Sequence, residues 1–168
     1  AIVPPACPLC RRATAEAGHL CATCWRDLVQ IEHPACDRLG VPLAWGFGDG
    51  LLSAAGVTAP PAWDRARAAA VYGPAARRLV FLLKYRDRTE TAALMGRMMA
   101  RAGADLLAED AVVAPVPLHG RRLLARRYNQ SALLAAETVR AARRARAFAT
   151  ARASPVPDDA EAVAAVPE

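Results

Sequence analysis

Four cysteines near the start constrain this chain more than any other feature. Cys7-Pro8-Leu9-Cys10 and Cys21-Ala22-Thr23-Cys24 form two C-x2-C pairs separated by ten residues. Each pair can set two thiolates on one tight knuckle, and two knuckles supply the tetrahedral four-sulfur set that zinc prefers. The expectation is a structural zinc ribbon over residues 1–39 with Cys7, Cys10, Cys21 and Cys24 as ligands, since four sulfurs leave no open coordination position. Two disulfides or two redox pairs are the competing readings. Residues 1–5 carry no charged region leading into a long apolar run, so nothing marks export to an oxidising compartment. A redox C-x-x-C belongs in a strand-to-helix context that this stretch lacks. Cys36 has Leu39 at the spacing where a partner would stand, and reads as a buried thiol. His19 and His33 lie near cysteines in sequence, but four thiolates already complete a set. Trp25, Leu28 and Ile31 recur every three residues and predict a short helix covering the second knuckle.

The chain has 168 residues, room for one ordinary domain or a small domain with an appendage. Apolar residues make up 54%, but many are alanines, which bury little area each. No run of apolar residues is long enough to span a bilayer. The net charge is +6, with 21 Arg and a single lysine, Lys84. Its distribution says more than its total. Residues 1–146 hold 21 basic and 12 acidic residues, net +9, whereas residues 147–168 hold one basic and four acidic, net −3, which marks a boundary.

Residues 40–64 are rich in glycine and proline and read as a linker or an irregular wrap. Trp45, Phe47 and Trp63 within it are expected to dock on a neighbouring core, with base stacking as the alternative. From residue 65 the pattern turns regular. Residues 66–72 predict a strand closed by Gly73-Pro74, and residues 75–85 a helix with Ala75, Leu79, Leu82 and Leu83 on one face. Thr89 is placed to cap a further helix whose apolar stripe is Met95, Met99, Ala102 and Leu106. Residues 111–114 predict a second strand, stopped by Pro115 and Pro117. A short loop with His119 and Gly120 follows, then Arg121, Arg122, Arg126 and Arg127, and a helix after Asn129 bearing Leu133, Leu134 and Val139. Strand, loop and cationic helix entrance, in that order, is how α/β proteins build an anion site. Residues 65–146 therefore predict part of an α/β domain, and residues 147–168 a disordered tail.

Three segments together resemble the ComF family of competence-associated proteins: the cysteine quartet, Leu82-Leu83-Lys84-Tyr85 with Asp87-Arg88, and Pro115-Val116-Pro117-Leu118-His119 with Arg121-Arg122 and Tyr128-Asn129-Gln130. The resemblance covers about residues 5–145. It implies a zinc ribbon joined to a type I phosphoribosyltransferase-like, Rossmann-like domain. It also implies a cytoplasmic role in bacterial DNA uptake. Leu118, His119, Gly120, Arg121 and Arg122 would then form the pyrophosphate-side loop.

Two departures stand out. Many family members carry a second pair of cysteines where this chain has Cys36 alone. The family's phosphoribosyl pyrophosphate (PRPP) loop, two acids followed by Thr-Thr-Gly-type residues, has no counterpart: Asp158-Asp159 is followed by Ala160-Glu161-Ala162 and preceded by no apolar strand. The domain thus reads as incomplete, as a truncation or a shifted reading frame would leave it, and not competent for catalysis. Three functions remain in play. One is a ComF-like zinc protein without catalysis. Another is an active phosphoribosyltransferase, which alone would need Mg2+ with PRPP. The third is a nucleic-acid-binding module using Arg126, Arg127, Tyr128, Asn129 and Gln130. Residues 121–146 hold eight arginines and one acid, Glu137, so single-stranded DNA and competence proteins are the expected partners. A partner completing the half-built sheet is a further expectation.

Overall fold

The computed structural model describes residues 4–107 and 111–153. Its helices are α1 (Ala22–Arg26), α2 (Ala54–Thr58), α3 (Pro74–Tyr85), α4 (Thr91–Ala102), α5 (Gly120–Arg126) and α6 (Gln130–Ala153). Among the described residues there is no β-strand, only isolated antiparallel bridges at Ala6–Ala13, Ala35–Pro42 and Gln30–Ala70.

The expected α/β arrangement is therefore not what these residues form. Residues 69–71 pair with the segment just after α1: Val71 N–H donates to Val29 O at 2.8 Å and Ile31 N–H to Ala69 O at 3.4 Å. Residues 111–114 take no regular secondary structure, and Val112 is 93% exposed. A strand is stable only when its backbone groups find partners, and no bridge forms at residues 111–114 among the described residues.

The long helices follow their sequence signals. Pro74 opens α3 at a position where the missing N–H costs nothing, and Ala75, Leu79 and Leu83 bury one face. α4 begins without the expected threonine cap. Glu90 holds the N-cap position without a side-chain capping bond, its carboxylate pairing with Arg88 instead, while Thr91 donates its hydroxyl to Arg88 O at 2.7 Å. The buried side of α4 is Thr91, Ala92, Leu94, Gly96, Met98 and Ala100, not the stripe through Met95, Met99, Ala102 and Leu106. α4 has two neighbours, the ribbon core on one side and α6 on the other, so a single stripe is too narrow. Gly96 faces α6: a Cβ there would lie 2.6 Å from Glu137 Cβ. α6 continues to Ala153, so residues 147–153 extend a helix where disorder was expected. Residues 154–168, with Asp158-Asp159, lie outside the described residues.

The core joins ribbon to helices. Cys7, Leu9, Cys24 and Leu28 pack with Ala75 and Leu79 of α3 and Leu94 and Met98 of α4. α1 ends at Arg26, so Leu28 reaches this core from beyond the helix, while Trp25 stays exposed. Arginines of the helices bond back to the ribbon: Arg78 to Leu9 O at 2.6 Å, Arg97 to Gly18 O at 3.2 Å, and Arg101 to Glu32 at 3.0 Å. Docking of the aromatics at 45–63 does not occur for two of the three. Trp45 is 83% and Phe47 98% exposed, whereas Trp63 donates its indole N–H to Arg38 O at 3.0 Å.

Candidate metal centre and basic segment

The first knuckle is a turn closed by Cys7 N–H to Arg12 O at 2.8 Å and Arg11 N–H to Cys7 O at 2.9 Å. Arg11 takes a left-handed φ of 67° to make it. The second pair sits at the start of α1, where Cys21 is the N-cap residue and Cys24 lies on the first turn. The four Sγ atoms all lie within 4.8 Å of one another, with Cys7 and Cys24 buried, Cys21 half-buried and Cys10 exposed. Tetrahedral zinc with Zn–S bonds of about 2.3 Å needs sulfurs about 3.8 Å apart, and this cluster fits that span. The convergence of all four sulfurs on one point favours a shared cation over two separate disulfides. His19 pairs with Glu16 at 3.4 Å, His33 is exposed, and neither joins the sulfur cluster.

The thiols are unequal. Burial pushes Cys7 up, but N–H groups of Cys21, Cys10 and Leu9 outweigh it and bring the thiol down to about 6. Cys21 is lowered by the Cys24 N–H and then by the Cys10 side chain. Cys24 is pushed up, first by burial and then by the neighbouring thiols. A cluster that holds charge on some sulfurs and resists it on another is suited to a cation that neutralises all four.

The pyrophosphate-loop candidates lie together at the start of α5. Leu118 is half-buried, and the His119 ring nitrogen Nδ1 accepts from Arg121 N–H at 3.3 Å. Gly120 has open space around it, and Arg121 and Arg122 are exposed.

Of residues 126–130, Arg127 is exposed and the other four are partly or fully buried. Arg126 donates to Gln130 Oε1 at 3.2 Å and lies 5.2 Å from the centre of the Tyr85 ring. Arg127, with φ of 63°, ends α5. Tyr128 donates its hydroxyl to Leu83 O. Asn129 Oδ1 accepts from Ser131 N–H at 2.9 Å and Ala132 N–H at 3.4 Å, capping α6, while its amide nitrogen donates to Val116 O at 3.2 Å. Gln130 is 5% exposed. These side chains hold α3, α6 and the 111–118 stretch together.

Sequence reasoning missed one cluster. Arg65 and Arg67 bridge Asp37 to Asp105, with Arg65 to Asp37 at 3.1 Å and both arginines to Asp105 at 2.6 Å. Arg67 also pairs with Asp37 directly. The alternation of Arg65 and Arg67 was the available signal; the two acids lie too far off in sequence to be matched with it.

Comparison with known proteins agrees with the ribbon. A double zinc ribbon domain family matches residues 1–55. The DNA utilization protein YhgH of Salmonella typhimurium is 34% identical over 139 residues, covering 79% of this chain and 59% of that protein. YhgH of Escherichia coli K12 is 33% identical over 140 residues with the same coverage. Ribbon and relatives together support the resemblance to ComF-like proteins. The chain spans 59% of the length of these relatives. No solved structure matches it. No described helix of this chain is long and apolar enough to cross a membrane.

Proposed function

We propose that this chain is a zinc-dependent DNA-handling protein of the cytoplasm, in which Cys7, Cys10, Cys21 and Cys24 hold one structural zinc and the surface cations engage single-stranded DNA. The observation that carries the DNA reading is the charge of α5 and α6: eight arginines stand against Glu137 alone, and Arg121, Arg122, Arg143 and Arg144 are exposed. The relatives' name, DNA utilization protein, points the same way. Trp45 and Phe47, undocked on a glycine-rich loop, offer faces for base stacking, which favours a single strand over a duplex. Competence proteins, and a strand that would pair with the exposed stretch 111–117, are the protein partners this reading allows.

Fluorescence anisotropy with a labelled single-stranded oligonucleotide over a salt series tests it. Affinity should fall with salt. Replacing Arg143 and Arg144 by alanine should flatten the log–log slope by about 0.7 per cation removed from contact. Binding that ignores both salt and these arginines would sink the reading.

A second reading rests on the open, cationic start of α5: Leu118, His119, Gly120, Arg121 and Arg122 as the pyrophosphate-side loop of a phosphoribosyltransferase-like fold. Cations could neutralise a pyrophosphate, but nothing among the described residues forms the cradle for the ribose 5′-phosphate. Calorimetry with PRPP and Mg2+ should therefore show no tight binding to this chain. Micromolar affinity would favour an active enzyme.

A further inference from the structure

Residues 34–59 repeat the backbone of the first ribbon bond for bond. In the first knuckle Cys7 N–H donates to Arg12 O at 2.8 Å, Arg11 N–H to Cys7 O at 2.9 Å and Thr14 N–H to Pro5 O at 2.9 Å. In the second stretch Cys36 N–H donates to Val41 O at 2.8 Å, Gly40 N–H to Cys36 O at 2.8 Å and Leu43 N–H to Pro34 O at 3.0 Å. The bridge Ala6–Ala13 has its counterpart in Ala35–Pro42. Arg11 and Gly40, at matching positions, share a φ of 67°. The helical halves match too. Cys21 caps α1 at φ −69°, ψ 161°, and Ser53 caps α2 at φ −74°, ψ 159°. Both helices have five residues. Cys36 therefore corresponds to Cys7, Leu39 to Cys10, Ser53 to Cys21 and Gly56 to Cys24.

These four residues meet at one point. A Cβ built on Gly56 would lie 3.2 Å from Cys36 Sγ, 3.4 Å from Ser53 Oγ and 3.7 Å from Leu39 Cγ. One sulfur remains, and it is fully buried. It accepts hydrogen bonds from Ser53 N–H at 3.2 Å and Ser53 O–H at 3.3 Å. Ser53 Oγ in turn accepts from Gly56 N–H at 3.1 Å, and Arg38 donates to Gly56 O at 2.9 Å.

We infer that residues 34–59 are a metal-free second ribbon, with a Cys36–Ser53 hydrogen-bond lock and the Leu39 side chain in place of the zinc and three of its ligands. One thiolate, one hydroxyl, an alkyl group and a glycine cannot hold zinc in competition with the four-thiol site beside them. The hydrogen bonds close the same knuckle onto the same helix start, so the fold of this half does not depend on metal. Because the backbone is kept, the metal position is latent. This inference rests on the zinc reading of the first ribbon.

The test is metal stoichiometry of the full chain by elemental analysis and by cobalt(II) substitution, whose sulfur-to-metal absorption counts four-thiolate sites. The natural chain should bind one metal. The variant with Leu39→Cys, Ser53→Cys and Gly56→Cys should bind two and show about twice the charge-transfer intensity, in proportion to the sulfurs bound. A folded variant that still takes up one would overturn the latent site. A natural chain that takes up two, or that loses its metal on Cys36→Ser, would overturn the metal-free assignment. A natural chain with none would overturn the first-ribbon reading and this inference with it. Amide exchange after chelation gives a readout that needs no variant. Protection at Arg11 and Trp25 should collapse while that at Gly40 and Val57 persists; equal loss at both pairs would defeat metal independence.

Discussion

Tyr128 and Asn129 show how a side chain that looks available in sequence can be fully committed in the fold. Tyr128 donates to Leu83 O, and Asn129 caps α6 while holding Val116 O. Tyr128→Phe should cost about 1 kcal/mol, the net worth of one hydrogen bond. Asn129→Ala should cost about 1 kcal/mol for the lost cap. Urea unfolding checks both. Neither change should move the salt slope of DNA binding, and a flatter slope for Asn129→Ala would show that the segment touches nucleic acid after all. The cysteines separate in the same way. Cys24→Ala leaves three thiolates with no fourth ligand and should abolish the structural zinc, whose binding is worth about 10–16 kcal/mol in isolated zinc modules. Cys36→Ala removes only a hydrogen-bond acceptor and should cost about 1–3 kcal/mol with the zinc retained. Measuring zinc content beside the melting temperature of each variant decides this, and zinc loss on Cys36→Ala would contradict the contrast.

At the level of elements, the three long helices were legible, while the short helices and the strands were not. Apolar spacing is local, so α3 could be read to within a residue of its start, at Pro74. Pairing is not local: residues 66–72 look like a strand, and only the fold reveals that residues 29–31 pair with residues 69–71. The cysteine quartet was legible because knuckle spacing is short and all four ligand types survive. Its copy was hidden because a single cysteine remains of four, and the repeat is carried by backbone bonds that Leu39, Ser53 and Gly56 do not announce. Gly96 was equally silent. In an exposed helix Gly→Ala gains about 1 kcal/mol from propensity. Here the added methyl would meet Glu137 Cβ at 2.6 Å and Glu137 C at 2.8 Å. Backbone cannot swing aside as a long side chain can, so overpacking of about 1–3 kcal/mol should win. Gly96→Ala is thus expected to destabilise the α4–α6 contact, and a higher melting temperature for that variant would show that the helices can move apart freely.

Across the whole molecule, the Asp37–Arg65–Arg67–Asp105 cluster ties the second ribbon to the stretch after α4, and it makes stability depend on pH. Hydrogen bonds from the Arg65 and Arg67 side chains hold the Asp37 carboxyl below its ordinary value, against a smaller upward push from burial. A carboxyl lowered in the folded state stabilises the fold fully above its unfolded value, about 3.9. That contribution is lost as pH falls through the lower, folded value. Asp37→Asn removes the charge at every pH. The stability gap between the natural chain and Asp37→Asn should therefore be constant from about pH 7 to about pH 5, then narrow as acid protonates Asp37 in the natural chain. Zinc release complicates any single acid titration, since ligand thiolates also take up protons. Both proteins carry the same four cysteines, so this loss cancels in their difference. Urea unfolding at matched pH and zinc gives the gap directly. A gap that stays flat well below pH 4 would mean that the arginines hold Asp105 alone, and that Asp37 contributes shape and not charge.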